Sequence, residues 1–258
     1  MDTVTRTALR SEFERVRAVT ESLVGTLTPE DTVVQSMPDV SPAKWHLAHV
    51  TWFFERFILE EFVGDYRCFD DRFDFLFNSY YYSVGQMHAR PRRGLLSRPT
   101  LAKVFDYRAH VDAAMHDLLG QRDDSDIVQR VVLGLNHEQQ HQELLLTDIK
   151  HVFSCNPMQP AVSGELEQPP AGEIGSYAFV AGESGMRKIG ATGMEFAFDN
   201  ETPRHEALVH PHRIGTRLVS NGEFREFVKD GGYDDSNLWL SDGWAVLNER
   251  GWRRPLYW

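Results

Sequence analysis

Apolar residues recur at steps of three and four over four long stretches of the chain, and this period predicts helices at roughly Val4–Thr26, Pro42–Phe62, Pro99–Leu119 and Asp126–Phe153. In the last stretch Val128, Val131, Val132, Leu135, Leu144, Leu145 and Ile149 supply the apolar faces, with Asp124 and Ser125 as N-cap candidates. The second opens on Ser41-Pro42, a cap residue followed by the residue that favours the first helical position, and carries Trp45, His49, Trp52, Phe53 and Phe57 along one stripe. Ser97 ahead of Arg98-Pro99 opens the third, and Gly120 closes it. Between the second and third runs a connection from Val63 to Ser97, rich in Tyr, Phe and Arg. A connection of that length is functional or disordered, and this one is too aromatic for disorder. Four helices with one long crossing connection predict a four-helix bundle, whose interior is a natural place for a metal site.

The pattern changes after Phe153. Residues 156–175 are rich in proline, glycine and glutamate and lack a helical period, which predicts a linker between a bundle domain (1–155) and a second domain (176–258). Short strands are expected at Tyr177–Ala181, Arg187–Gly190, Phe196–Phe198 and Glu206–Leu218, followed by a short helix at Asn221–Lys229. The fold class expected is therefore α+β. Trp239, Trp244, Trp252 and Trp258 crowd the end of the chain, which stops at Pro255-Leu256-Tyr257-Trp258. Chain ends are normally exposed and polar. Either a last strand docks into the core, or a larger second domain is cut short; the expectation is the latter.

Chemistry concentrates in His137-Glu138-Gln139-Gln140-His141. Two imidazoles four residues apart on a helix project from one face, as two ligands of a metal ion do. The second helix offers a third imidazole, His49, on its apolar stripe, with His46 one turn earlier as a rival; spacing alone leaves both open. A lone histidine on an apolar face is more often a core residue bonded to a carbonyl. The same five residues also satisfy HExxH, the zinc-hydrolase pattern, with Glu138 as general base. A glycine and third histidine just downstream would extend it, but Leu144 and Thr147 stand there, and Glu165 and Glu167 fall in the linker.

Composition narrows the partners. The net charge of −11 argues against nucleic acid or an anionic membrane. No apolar run is long enough to span a bilayer, and the N-terminus lacks the apolar core of a signal peptide. Cys68 and Cys155 are too few for a disulfide framework, so the cytoplasm is the default compartment.

Several blocks together carry a resemblance. SPAKWHLAHVTWFFE, FNSYYYSVGQMHARPRRGLLSRPT and NHEQQHQELLLTDIKH, then FAFDNETPRH, SNGEFREFVKDGGY and LWLSDGWAV, resemble in order the ergothioneine-biosynthesis sulfoxide synthases. The resemblance covers nearly the whole chain. It implies a DinB-like helical bundle followed by an incomplete formylglycine-generating-enzyme-like (C-type-lectin-like) α+β domain. It also implies Fe(II) on His49, His137 and His141, and a reaction that joins the thiol of γ-glutamylcysteine or cysteine to the imidazole of hercynine (Nα-trimethylhistidine), with O2 as oxidant. By the same resemblance Arg90 holds a substrate carboxylate, with Arg93 close enough to exchange roles. Gln140 lies near the hercynine imidazole, and Tyr80 and Tyr81 line the pocket.

The family's proton-donating tyrosine lies beyond Trp258, and neither Tyr233 nor Tyr257 falls in the matching segment, so no catalytic residue is carried over. Three other readings compete. One is a metal-binding DinB-like module without oxygenase activity, such as a thiol transferase or interaction module. Another is the HExxH zinc hydrolase. The third is the sibling ovothiol synthases, which usually carry an added methyltransferase domain.

Overall fold

The computed structural model of the protein describes residues 3–162, 172, 175–193 and 195–258. The chain divides into two compact units, residues 1–167 and 168–258. Most of the expected linker, with Glu165 and Glu167, lies outside the described residues.

The first unit is helical: α1 (Thr3–Val24), α2 (Ala43–Phe54), α3 (Glu60–Phe62), α4 (Phe73–Phe77), α5 (Leu101–Gln121) and α6 (Ser125–Cys155). A π-helical turn, Glu55–Leu59, joins α2 to α3, so one helical rod runs from Ala43 to Phe62. Every residue of α2 is buried, polar ones included. A helix wrapped on all sides is the centre of a bundle, and α1, α5 and α6 each pack on it. Phe13 and Val16 of α1, Val104, Tyr107 and Met115 of α5, and Ile127, Val131 and Leu145 of α6 close the core around Leu47, Trp52 and Phe54. Gly134 sets the distance between α2 and α6. A Cβ there would sit 2.8 Å from the Phe54 ring and 3.0 Å from the Phe53 ring, so only glycine lets the helices meet this closely, one turn ahead of His137.

The helix starts differ from the sequence reading. Ser41 does not cap α2: its hydroxyl accepts a hydrogen bond from Arg93, and its N–H donates to Asp148. Thr100, not Ser97, caps α5, accepting the Lys103 N–H at 3.2 Å, and the helix runs through Gly120 to Gln121. Asp124 precedes α6 without a capping bond, its carboxylate taken by Arg122. The long connection is partly ordered into α4 and a 3-10 turn, Arg90–Leu95.

The second unit contains β1 (Phe179–Ala181), β2 (Gly185–Ile189), β3 (His205–Val209), β4 (Arg213–Gly215), α7 (Asn221–Lys229) and α8 (Ser241–Arg250). β1 pairs antiparallel with β4, and β2 with β3. The expected strand Glu206–Leu218 is split at Pro211, which has no N–H to give a ladder. Phe196–Phe198 forms no strand and leads instead into a 3-10 turn, Asp199–Glu201. Residues 251–258 form no strand either. The unit is thus mixed helix and sheet, and with the bundle the chain is α+β. Among the described residues no helix is long and apolar enough to cross a membrane.

Candidate metal centre

Three side chains from two helices converge where α2 faces α6. Each of His49, His137 and His141 offers a ring nitrogen, and these three nitrogens lie within 4.8 Å of one another. The His49 ring centroid is 5.1 Å from that of His137 and 4.6 Å from that of His141. Spacing supplies two of them: residues i and i+4 of α6 share a face. The third depends on how α2 is held.

That hold comes from α4 and its end. His49 Nδ1 donates to the Phe77 carbonyl at 2.6 Å, while its ring lies between the indoles of Trp45 and Trp52, at 4.6 and 5.7 Å. Those indoles are themselves tied down, Trp45 Nε1 to the Leu76 carbonyl at 3.0 Å and Trp52 Nε1 to the Asp74 carboxylate at 2.6 Å. With Nδ1 committed as donor, the lone pair of His49 is on Nε2. A ligand ring oriented through its other nitrogen is the usual design of a metal site.

The cluster favours neutral rings. Burial pushes His49 well below its ordinary range, helped by the neighbouring His137, and pushes His137 down to about 4 against the pull of Glu138. His141 is also held well below that range, by burial and then by His49, His46 and His137. Neutral imidazoles are the form that binds metal. His137 Nδ1 is buried and makes no hydrogen bond, an unmet polar atom of the kind a missing ligand explains. The donor set therefore fits a divalent transition metal that accepts imidazole. His46 stands outside the trio, with Nδ1 at 2.8 Å from His141 Nδ1 and Nε2 at 2.9 Å from Asp148 Oδ2. Its ring is lowered too, by burial against the opposing pull of Asp148.

The histidines open on a cavity of about 390 Å³, also lined by Tyr80, Tyr81, Arg90, Arg93, Gln140 and Leu144. The expected substrate-contacting residues are thus brought together at this cavity. Their settings differ. Arg93 is buried, its guanidinium 3.4 Å from the Trp45 ring centroid and bonded to the hydroxyls of Ser41 and Ser79. Its Nε has no partner, and no carboxylate pairs with it among the described residues. Burial, then the charge of Arg90, pushes Arg93 down to about 9, still a cation at neutral pH. Arg90 is half-buried, donating to Tyr80 Oη at 2.9 Å and to the Asp39 carbonyl. Tyr80 is exposed at φ 64°, a conformation that side chains other than glycine rarely take and that clusters at functional sites. Tyr81 packs among Trp52, Phe53 and Phe57. Gln140 is exposed, one helical turn from Leu144 on the cavity face of α6.

Glu138 corrects the zinc-hydrolase reading. It turns toward α1 and α5, fully buried, and accepts from Arg17 Nη1 at 2.9 Å, Arg108 Nη2 at 2.8 Å and Thr20 Oγ1 at 2.6 Å. Burial alone would raise its carboxyl, but the two guanidiniums and the threonine hold it down at about 2. Both oxygens of this carboxylate are already engaged by buried donors, and the cavity holding the histidines does not include it. Sequence reasoning had no signal for Arg17 and Arg108 as its partners, which lie 121 and 30 residues away. Asp148 was also missed, although it follows His141 by two turns on the same face of α6.

Comparison with known proteins agrees with this architecture. Residues 12–145 match the DinB superfamily, and residues 165–257 match the sulfatase-modifying factor enzyme 1-like domain. A hercynine oxygenase of Mycolicibacterium smegmatis is 29% identical over 227 residues, covering 87% of this chain and 51% of that protein. The hercynine oxygenase of Mycobacterium tuberculosis is 28% identical over 256 residues, 97% of this chain and 57% of the relative. The chain thus spans about half the length of the curated relatives it matches. It belongs to the DinB superfamily, in the group that joins a DinB-like bundle to a sulfatase-modifying-factor-like domain and includes the hercynine oxygenases.

Proposed function

We propose that this chain carries the metal-holding part of an Fe(II)- and O2-dependent sulfoxide synthase. In this reading it joins the thiol of γ-glutamylcysteine or cysteine to the imidazole of hercynine. One observation carries the reading: three neutral imidazoles and an uncompensated buried guanidinium open on the same cavity. His49, His137 and His141 would hold the iron. Bound ferrous iron supplies the redox chemistry with dioxygen that neither a thiol nor an imidazole has alone.

The chain's own groups do the rest. Arg93 takes the carboxylate of the thiol substrate, because a buried cation bonded only to hydroxyls gains most from an anion. Arg90, pinned to Tyr80 and the Asp39 carbonyl, stands beside it as a second donor. Trp45 lies against both His49 and Arg93, and so fixes ligand and carboxylate site as one rigid block. Gln140 offers an amide to the hercynine ring, and Tyr80 and Tyr81 give its cationic end an aromatic wall. A free thiol substrate and ferrous iron both suit the reducing cytoplasm.

The test is anaerobic Fe(II) loading followed by O2, hercynine and each thiol in turn, with products read by mass spectrometry. The expected result is Fe(II) bound to the chain and thiol binding that depends on it, with the bridging sulfoxide formed where the family's proton-donating tyrosine is also present. Iron binding with no binding of either thiol would make the chain a metal-binding DinB-like module. Peptide hydrolysis by a zinc-loaded sample would restore the hydrolase.

A further inference from the structure

A carboxylate and an imidazole stand behind one of the three candidate ligands. Asp148 lies on α6, and its Oδ2 accepts the Ser41 N–H at 2.8 Å and faces His46 Nε2 at 2.9 Å. His46, buried on α2, presents its other nitrogen to His141 Nδ1 at 2.8 Å. The contacts form an unbroken line from Asp148 through His46 to His141. We propose that His46 and Asp148 are positioning residues for a metal at His49, His137 and His141, holding the His141 ring so that Nε2 is the nitrogen it offers.

Proton counting gives the direction. A carboxylate accepts and does not donate, so the proton between Asp148 and His46 belongs to His46 Nε2. A neutral imidazole has one N–H, which leaves His46 Nδ1 as an acceptor. Its 2.8 Å partner, His141 Nδ1, must then be the donor. The single proton of His141 is committed there, and its lone pair is on Nε2. The opposite polarity would face two acceptors at 2.9 Å, His46 Nε2 and Asp148 Oδ2. A His46 protonated on both nitrogens would force the His141 proton onto Nε2 and close that nitrogen to any metal.

The arrangement repeats the logic seen at His49, whose Nδ1 donates to the Phe77 carbonyl. There the partner is a backbone oxygen; here it is a side-chain pair that also binds the helices together. Asp148 on α6 holds the Ser41 N–H just ahead of α2, and His46 on α2 holds a ligand of α6. One pair therefore fixes both the orientation of a ring and the spacing between the two ligand-bearing helices. Outer partners of this kind are typically worth about ten- to a hundredfold in metal affinity.

This inference rests on the metal site proposed above, and its test separates the two. Nitrogen-15 NMR of the metal-free protein reports which ring nitrogens carry protons. We expect protonated Nδ1 and bare Nε2 at His141, and the reverse at His46. A protonated Nε2 at His141 would overturn the proposal without any variant. Co(II) affinity is then measured by chelator competition in the wild type, His46→Phe and Asp148→Asn, together with the visible spectrum of bound Co(II). The expected result is weakening by about ten- to a hundredfold in both variants, with a changed spectrum. A wild type that binds no Co(II) would remove the metal site itself. Wild-type affinity and spectrum in both variants would leave that site standing and remove His46 and Asp148 from it.

Discussion

The two faces of the stretch His137-Glu138-Gln139-Gln140-His141 invite comparison, because one helical turn serves two opposite purposes. Toward α2 it presents imidazoles that are neutral, clustered and open to a cavity. Toward α1 and α5 it presents a carboxylate sealed from water and saturated by two guanidiniums and a hydroxyl. A buried charge with every partner in place is part of the scaffold. Buried polar atoms without a partner beside the cavity, such as His137 Nδ1 and Arg93 Nε, are where a bound group has most to add. Satisfaction of polar atoms, rather than the motif, tells the two faces apart.

The largest expected effect comes from breaking the sealed face. Glu138→Ala takes from Arg17 and Arg108 their one fully buried partner and leaves them only Asp112 and Glu21, both partly exposed, which should cost about 3–5 kcal/mol in urea unfolding. Metal bound per folded molecule should stay at the wild-type level. Unchanged stability with metal lost would place Glu138 in the site after all.

Acid should dismantle the two faces in sequence in the metal-free protein. An unfolded His137 takes a proton near 6.5, the folded one only near 4, so stability falls as pH drops between those values. The share of His137 is about 3 kcal/mol, and His46, His49 and His141, also lowered by burial, add to the loss in the same direction. Glu138 acts lower: its contribution is complete above 4.5 and disappears as pH falls toward 2. Urea unfolding at stepped pH should show both losses, and His137→Ala should reduce only the upper one. An upper loss of the same size in that variant would assign it to other groups.

On the open face, Arg93→Met removes a cation that has no carboxylate partner of its own. Thiol-substrate binding to the metal-loaded protein, read by calorimetry, should weaken by about 1.5–3 kcal/mol, while thermal stability holds or rises. Equal binding would remove Arg93 from the carboxylate site. The smallest effect is expected at the rim. Tyr80→Gly relieves the φ of 64° and should move stability by less than about 1 kcal/mol, read as a small shift in melting temperature. A loss of several kcal/mol would show that Tyr80 is held by packing.

What could be read from the sequence follows from the range of each interaction. The helical period located the bundle, and the i, i+4 rule placed His137 and His141 on one face. The stripe of Trp45, His49 and Trp52 pointed to His49, but separating it from His46 required α4, whose Phe77 carbonyl fixes one ring, and Asp148, which claims the other. Neither contact leaves a trace in local periodicity. The same limit hid Glu138's partners on α1 and α5. In the second unit, α7 was legible and begins at Ser220, whose capping box with Glu223 is a local signal. α8 was missed although Gly251, at φ 64°, closes it in the usual left-handed way.

The most direct test of the central claim is the amount of Fe(II) bound per chain under anaerobic dialysis, compared between the wild type and His49→Ala. His49 is the ligand that α2 contributes, so the site exists only if its loss is felt. One iron per wild-type chain is expected, and none retained by a folded His49→Ala protein. Full iron occupancy in His49→Ala would contradict it.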